Sequence, residues 1–238
     1  MAFTFFFRDW QTLELAVDAA MRDLCGRAFI HIWDAGCAHG PEPYTLAILL
    51  RERMSDYVFR NVRIHATDIE PGFAEQVTAG VFPNHEVQRV PPGILRKYFR
   101  PASSPGFVEI VPELRAKVTF SRHDLLSLRP FREGLSMIVC KNVVLHFDET
   151  QRIDVLRMFH RALQPGGTLV MEHTQALPRA VAPLFCRVVS HEQVFRKVDA
   201  VRGELMSGPR VACQHVHAPQ FTQGVHVSTV AAATGCRD

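Results

Sequence analysis

The sequence predicts an α/β fold with a mainly parallel sheet and helices on both faces. Three observations predict it. Strand-like and helix-like runs alternate along the chain. An apolar run, Ala28 to Ile32, passes through a glycine loop into a second apolar run, Leu46 to Met54. Ser136-Met-Ile-Val-Cys140 is apolar throughout, as a strand covered on both faces of a parallel sheet must be.

The elements follow in order. Residues 11–25 put Leu13, Val17, Ala20, Met21 and Leu24 on one helical face, and Gly26 stops the run. A strand is expected over about 28–35, a helix over about 42–54 and a second strand over about 62–68. Pro71 opens a short helix reaching about residue 79, since proline suits a first turn. Residues 82–114 carry Pro83, Pro91, Pro92, Pro101, Pro105 and Pro112 with little periodicity. They read as an irregular or short-stranded insertion with one helical piece near Pro92 to Phe99. Lys117-Val-Thr-Phe-Ser is a strand leading to His123-Asp124-Leu125-Leu126. Asp148 caps the next helix, with Gln151 three residues on as in a capping box. That helix buries Ile153, Leu156, Phe159 and Leu163, and Pro165-Gly166-Gly167 ends it. Thr168 to His173 is a strand, and 186–198 a terminal hairpin. The expected organisation is one domain over 1–198, with 82–114 as an inserted subdomain, and a flexible tail over 199–238.

Composition narrows the class. The chain has 238 residues, 47% apolar and 21% charged, with a net charge of +3. That balance, without a dense Lys/Arg run, argues against nucleic acid as partner. No apolar run reaches the roughly 20 residues of a membrane span, and Phe3 to Phe7 lacks the flanks of a signal peptide. The six cysteines form no Cys-x-x-Cys, and a cytoplasmic location is expected. Cys213-Gln-His215-Val-His217, with His226 and Cys236, matches no standard zinc module, so no metal is expected.

The chemistry concentrates in Trp33-Asp34-Ala35-Gly36-Cys37-Ala38-His39-Gly40-Pro41-Glu42-Pro43-Tyr44. Gly36 and Gly40 allow close approach of backbone to a ligand. Some thirty residues later, Val62-Arg-Ile-His-Ala-Thr67-Asp68-Ile69 reads as a strand ending in an acid. A glycine loop after one strand and a carboxylate ending the next is how nucleotide-binding α/β folds hold a ribose. The spacing is Gly-x-x-x-Gly, not the Gly-x-Gly-x-x-Gly of dinucleotide sites, and Glu42 stands where a pyrophosphate would sit. A carboxylate there repels phosphate and attracts an amine. A ribose-bearing, phosphate-free, cationic cofactor fits, and S-adenosylmethionine has these properties. The plainer reading of the loop is a tight turn with Glu42 as a helix N-terminal charge.

Five segments resemble the CheR-type chemotaxis methyltransferases, which use S-adenosylmethionine to methylate receptor glutamates. They are Phe5-Phe6-Phe7-Arg8-Asp9, Ala35-Gly-Cys…Glu42-Pro-Tyr44, Ala66-Thr-Asp68-Ile69, Cys140-Lys-Asn142-Val-Val-Leu-His146-Phe147-Asp148, and Leu163 to Thr174. The resemblance implies a Rossmann-like class I methyltransferase sheet of seven strands, the inserted subdomain, and S-adenosylhomocysteine as product. It implies roles at matching positions. Arg8 is expected near the methionine carboxylate and methyl group, Gly36 and Glu42 at the methionine end, and Asp68 at the ribose. Asp124 stands where the family contacts adenine, usually with Asn, and Ile69 and Leu125 are further cofactor-binding candidates. Asn142 lines the methyl-transfer pocket, and Arg8, Asn142 and His146 are the candidate catalytic residues. Read without the family, Arg8 forms a surface ion pair with Asp9, Asp124 caps a helix at Leu125, and Asn142 makes a turn.

The pattern departs from the family in places. The family's N-terminal helical receptor-recognition domain is expected to be lacking. The family commonly has Glu at Pro41, Arg at Lys141, Tyr at His146, and Gly-His-Ser-Glu where this chain reads Glu172-His173-Thr174-Gln175. A carboxylate acceptor is ionised at neutral pH and needs no base, whereas a His is suited to deprotonating a hydroxyl, amine or thiol. The acceptor is therefore expected to be a chemoreceptor-like protein or a small molecule, with a non-catalytic S-adenosylmethionine-binding module as the alternative. His146 packing against Phe147 is the structural reading of that position.

Overall fold

The computed structural model describes residues 4–199. The expected tail and the Cys213–Cys236 group lie outside the described residues. The chain enters through helix α1 (Trp10–Cys25), strand β1 (Ile30–Ala35), α2 (Pro41–Arg53), the short α3 (Asp56–Phe59) and β2 (Val62–Asp68). A 3-10 turn at Pro71–Phe73 then leads into α4 (Ala74–Ala79). Next come β3 (Val81–Pro83), α5 (Pro92–Tyr98), β4 (Phe99–Pro101), β5 (Phe107–Ile110) and the short α6 (Pro112–Arg115). The remainder is β6 (Val118–Arg122), β7 (Leu135–Cys140), α7 (Glu149–Ala162), β8 (Leu163–Met171), β9 (Phe185–Arg187) and β10 (Val194–Lys197).

The main sheet has seven strands in the order β6-β2-β1-β7-β8-β10-β9. The first five are parallel, and β10 and β9 run antiparallel at one edge. Side chains alternate between two cores. From β1, Ile30 and Ile32 join α1 and α2 on one face, while Trp33 and Ala35 join α7 on the other. The strand order reverses between β1 and β7, which opens a crevice beyond their carboxyl ends.

Several local expectations change. The stretch that looked irregular holds a three-stranded antiparallel sheet, β3-β5-β4, with α5 between β3 and β4. Its strands are three or four residues long, too short to show a period. Helix α2 shows no amphipathic stripe, because Pro43 through Leu50 are all buried. It is held between the sheet, α1 and the small sheet, where the Tyr44 ring meets Phe82 edge-on at 5.8 Å. Met21 is only partly buried, and Ala16 and Thr12 take the inner face of α1 with Leu13, Val17, Ala20 and Leu24. Leu163 begins β8 instead of closing α7, and Gln164–Gly167 bulge between the pairs Leu135–Leu163 and Met137–Thr168.

Candidate functional site

The loop after β1 begins with Gly36 at φ 99° and Gly40 at φ 112°. Gly36 and Cys37 donate backbone N–H bonds to the Thr67 carbonyl, at 2.8 and 3.0 Å, tying the loop to the end of β2. A Cβ on Gly36 would stand 2.1 Å from Val143 Cγ2, so this position excludes any side chain. Gly40 then caps α2, with Pro41 at its first turn and Glu42 following.

Asp68 ends β2. Its Oδ2 accepts from Ala38 N at 3.0 Å and its Oδ1 from Glu70 N at 3.1 Å. Each oxygen retains a further lone pair, so the fixed carboxylate can accept from two neighbouring hydroxyls. At the end of β6, Asp124 Oδ1 accepts from Leu126 N at 2.9 Å, capping the 3-10 turn Leu125–Ser127. The capping reading of Asp124 thus holds alongside its place in the cavity wall. After β7, Asn142 sits at φ 58°.

These elements enclose a cavity of about 580 Å³ at the carboxyl ends of β1, β2, β6 and β7. Arg8, Gly36, Glu42, Asp68, Ile69, Asp124, Leu125, Asn142 and His146 all line it. Nine residues that span most of the described chain therefore converge on one space. Sequence reasoning did not single out Cys37, Ala38, His123 or Phe147 as lining residues. Nothing in their local sequence marks them as lining residues, and only the fold brings them there. The Cys37 thiol is raised by burial and then by Asp34 and Asp68, so it is held as an inert thiol. His146 is exposed on the wall, and Arg8 stands 3.6 Å from Asp9 through Nε while facing the same cavity.

The N-terminal segment is fastened from three sides. Phe6 is fully buried against Phe82 and Phe99 of the small sheet, at 4.8 and 5.1 Å between ring centres. Phe7 N donates to Thr45 Oγ1 of α2 at 3.1 Å. Lys141 Nζ donates to the Arg8 and Asp9 carbonyls, at 3.3 and 3.4 Å, and lies 3.2 Å from Glu42 Oε2. Phe7 and Asp9 take φ of 60° and 44°, and Ala38 and Asn142 are likewise positive. Strained non-glycine backbone thus gathers around the cavity, where surrounding contacts hold it.

Beneath Glu42 lies Asp34 of β1, missed as a site residue because it sits inside a strand. It is fully buried, and neither oxygen meets an N–H or O–H donor among the described residues. Burial first, and the Glu42 carboxylate second, push its carboxyl well above the usual range, against an opposing pull from Lys141. Its polar neighbour Glu42 is another acceptor, so a hydrogen bond between the two requires a proton on one of them. Asp34 is the deeper of the two, and its raised carboxyl makes it the group that favours the proton. Glu42 lies 3.2 Å from Lys141 Nζ.

Comparison with known proteins identifies the family. The profile of the CheR methyltransferase SAM-binding domain matches residues 2–193. Chemotaxis protein methyltransferase 2 of Vibrio cholerae is 28% identical over 82% of this chain and 67% of its own length. Chemotaxis protein methyltransferase 2 of Pseudomonas aeruginosa is 31% identical over 72% of this chain and 62% of its own. The Escherichia coli chemotaxis protein methyltransferase is 30% identical over 72% of this chain and 60% of its own. The match thus covers about two thirds or less of these relatives' lengths. With the seven-stranded sheet and the cavity at its switch point, the chain belongs to the CheR methyltransferase family and carries its S-adenosylmethionine-binding domain.

Proposed function

We propose that this chain transfers the methyl group of S-adenosylmethionine to a carboxylate on a protein, with a chemoreceptor-like protein in the cytoplasm as acceptor. The observation that carries the reading is the paired charge layout of the cleft. Asp68 is fixed by two backbone amides at one wall, and the Glu42–Lys141 pair is fixed at another. The residues fit the cofactor. Asp68 would accept from the ribose hydroxyls, and Glu42 would pair with the ammonium group. Arg8 would pair with the cofactor's carboxylate, Asp124 and Leu125 would bound the adenine, and the Gly36 backbone, which also lines the cavity, would border the methionine chain.

When bound, S-adenosylmethionine supplies an electrophilic methyl group on sulfur. The protein's task is then alignment and exclusion of water. Asn142 and Arg8 line the same cleft as Glu42, and Phe147 contributes an apolar surface. His146 stands on the exposed side of the same wall, where an acceptor enters, and acts by contact with the acceptor backbone or side chain. A carboxylate acceptor needs no proton removed, so the pH–rate profile of this reaction carries no His limb.

The test uses tritium-labelled S-adenosylmethionine, the purified chain and receptor fragments bearing glutamates. Base-labile release of labelled methanol is expected, with S-adenosylhomocysteine binding weakened at least tenfold in Asp68→Ala. Label transferred only to amines, hydroxyls or thiols, with a rate that falls with acid and loses that fall in His146→Phe, would replace the carboxylate reading by one with His146 as base. Binding without turnover on any acceptor would leave a cofactor-binding module.

A further inference from the structure

The parallel sheet has two ends, and the cleft occupies only the carboxyl one. At the opposite end, where β1, β2, β7 and β8 begin, lies a second cavity of about 720 Å³. Arg27, Phe29, His31, Arg60, Arg63 and Arg132 line it, and no Asp or Glu does. None of these four arginines forms an ion pair among the described residues. Arg27 Nε is buried without a hydrogen-bond partner. The concentration of positive charge acts on its neighbours. Burial, then Arg132 and Arg63, lower His31. Burial, His31 and the same arginines bring His65 down to about 4. Burial and Arg63 also lower Lys117. Like charges gathered in one concavity cost folding free energy that a bound anion offsets.

Beside the arginines runs a ladder of rings. Phe29 stacks on His31 at 6.4 Å and 15° between planes, and His31 stacks on His65 at 5.3 Å and 20°. The ladder ends on Phe29, which is 74% exposed. Arg60 lies 4.0 Å over the Tyr57 ring and Arg63 Nη1 donates to the Arg60 and Val62 carbonyls, so these cations have partners but no counter-charge among the described residues. A large aromatic ring left exposed beside them has no role in this fold's core. A planar heterocycle stacks on such a ring whatever its hydrogen-bonding edge. Guanidinium forks match phosphate oxygens two at a time. The volume lies within the range of small-molecule sites, and the concavity suits a compact ligand better than a flat bilayer surface.

We propose that this cavity binds a nucleotide, with the base on Phe29 and the phosphates among Arg63, Arg132, Arg60 and Arg27. The inference stands apart from methyl transfer. The cleft at the other end presents Glu42, Asp68 and Asp124, which repel phosphate, and the two ends are thus sorted by ligand charge.

The experiment is fluorescence anisotropy of N-methylanthraniloyl-GDP on the full chain, with unlabelled GDP and inorganic pyrophosphate as competitors. Saturable binding is expected, weakened at least tenfold in Arg63→Glu/Arg132→Glu and several-fold in Phe29→Ala. It should be unchanged in Asp68→Ala, and unlabelled GDP should compete better than pyrophosphate. S-Adenosylhomocysteine titration of the arginine variant reports whether it is folded. If that variant fails to fold, Arg63→Gln takes its place, with a several-fold loss expected. Four results would overturn the proposal. One is no saturable signal. Another is loss in Asp68→Ala with full binding in the arginine variants, which would put the nucleotide in the cofactor cleft. The third is equal competition by pyrophosphate with no effect of Phe29→Ala, which would leave a bare phosphate site. Arginine-dependent sedimentation with phosphatidylglycerol vesicles in the absence of nucleotide binding would likewise replace the nucleotide by a lipid surface.

Discussion

Burial first, and the Glu42 carboxylate second, raise the Asp34 carboxyl well above its ordinary range beneath the Glu42 end of the cleft. The sign of the pH effect follows. In the unfolded chain Asp34 titrates near 3.8, and in the folded protein well above it. As pH rises past about 4 the unfolded chain releases a proton that the folded protein keeps, so stability is lost with rising pH across that window. Asp34→Asn carries no such titration. Its melting temperature relative to wild type is expected to climb between pH 4 and pH 8. At the upper end it should reach about 1–2 kcal/mol in the variant's favour, roughly 2–4 °C per kcal/mol. A difference that stays flat with pH would mean Asp34 is ionised in the fold. Gly36 makes the opposite kind of demand. Gly36→Ala combines an unfavourable φ of 99° with a 2.1 Å clash against Val143. It is expected to cost roughly 2–4 kcal/mol and abolish S-adenosylhomocysteine binding in calorimetry. Adding Val143→Ala should return only the steric part, which separates the clash from the backbone strain.

At the scale of elements, α7 tests whether the scaffold and the site are separable. Asp148 accepts from Gln151 N at 2.9 Å, and Gln151 Oε1 accepts from Asp148 N at 3.1 Å. Asp148→Ala removes this capping box and is expected to cost about 1 kcal/mol, seen as a fall of about 2–4 °C in melting temperature. S-Adenosylhomocysteine affinity should stay within about twofold, since the cap faces solvent. A larger loss of affinity would show that α7 carries the Asn142–Phe147 wall with it. This box was legible in the sequence because its signal is local: two residue types at a fixed spacing. The same holds for β2, read as 62–68 and found at Val62–Asp68. The small sheet was not legible, since its order depends on pairings between strands that sequence separates, such as Phe82 with Val108. Likewise the seam between α7 and β8 misled, because a Pro-Gly-Gly run normally stops an element and here bulges inside a ladder. Motif residues such as Asp68 were readable from their strand context. Asp34 was not, because its role arises only when Glu42 of the next helix folds over it.

At the scale of the whole molecule, the cleft depends on an N-terminal strip being held against residues more than a hundred positions away. Lys141 makes that connection. Its side chain is 1% exposed, and it reaches the Arg8 and Asp9 carbonyls together with Glu42 at 14% exposed. One buried ammonium thus joins the strip that bears Arg8, the first turn of α2 and the end of β7. Lys141→Met should therefore do more than remove an ion pair. Glu42 loses its counter-charge, so about 3 kcal/mol of stability should go, and the strip should loosen. Two readouts distinguish loosening from simple destabilisation. Trypsin should cut after Arg8 faster, under conditions where the rest of the domain resists. S-Adenosylhomocysteine affinity should fall at least tenfold, while Lys141→Arg keeps both the charge and the fastening. A cycle with Glu42→Gln then isolates the pair. The double variant should be less destabilised than the two singles summed, by about 1–3 kcal/mol, because the second change removes the carboxylate that the first left unpaired. Additive losses would mean that Lys141 acts on the strip alone. The Glu42 anion would then be held by its helix and by Asp34, and the methionine end of the cleft would not be coupled to the N-terminal segment at all.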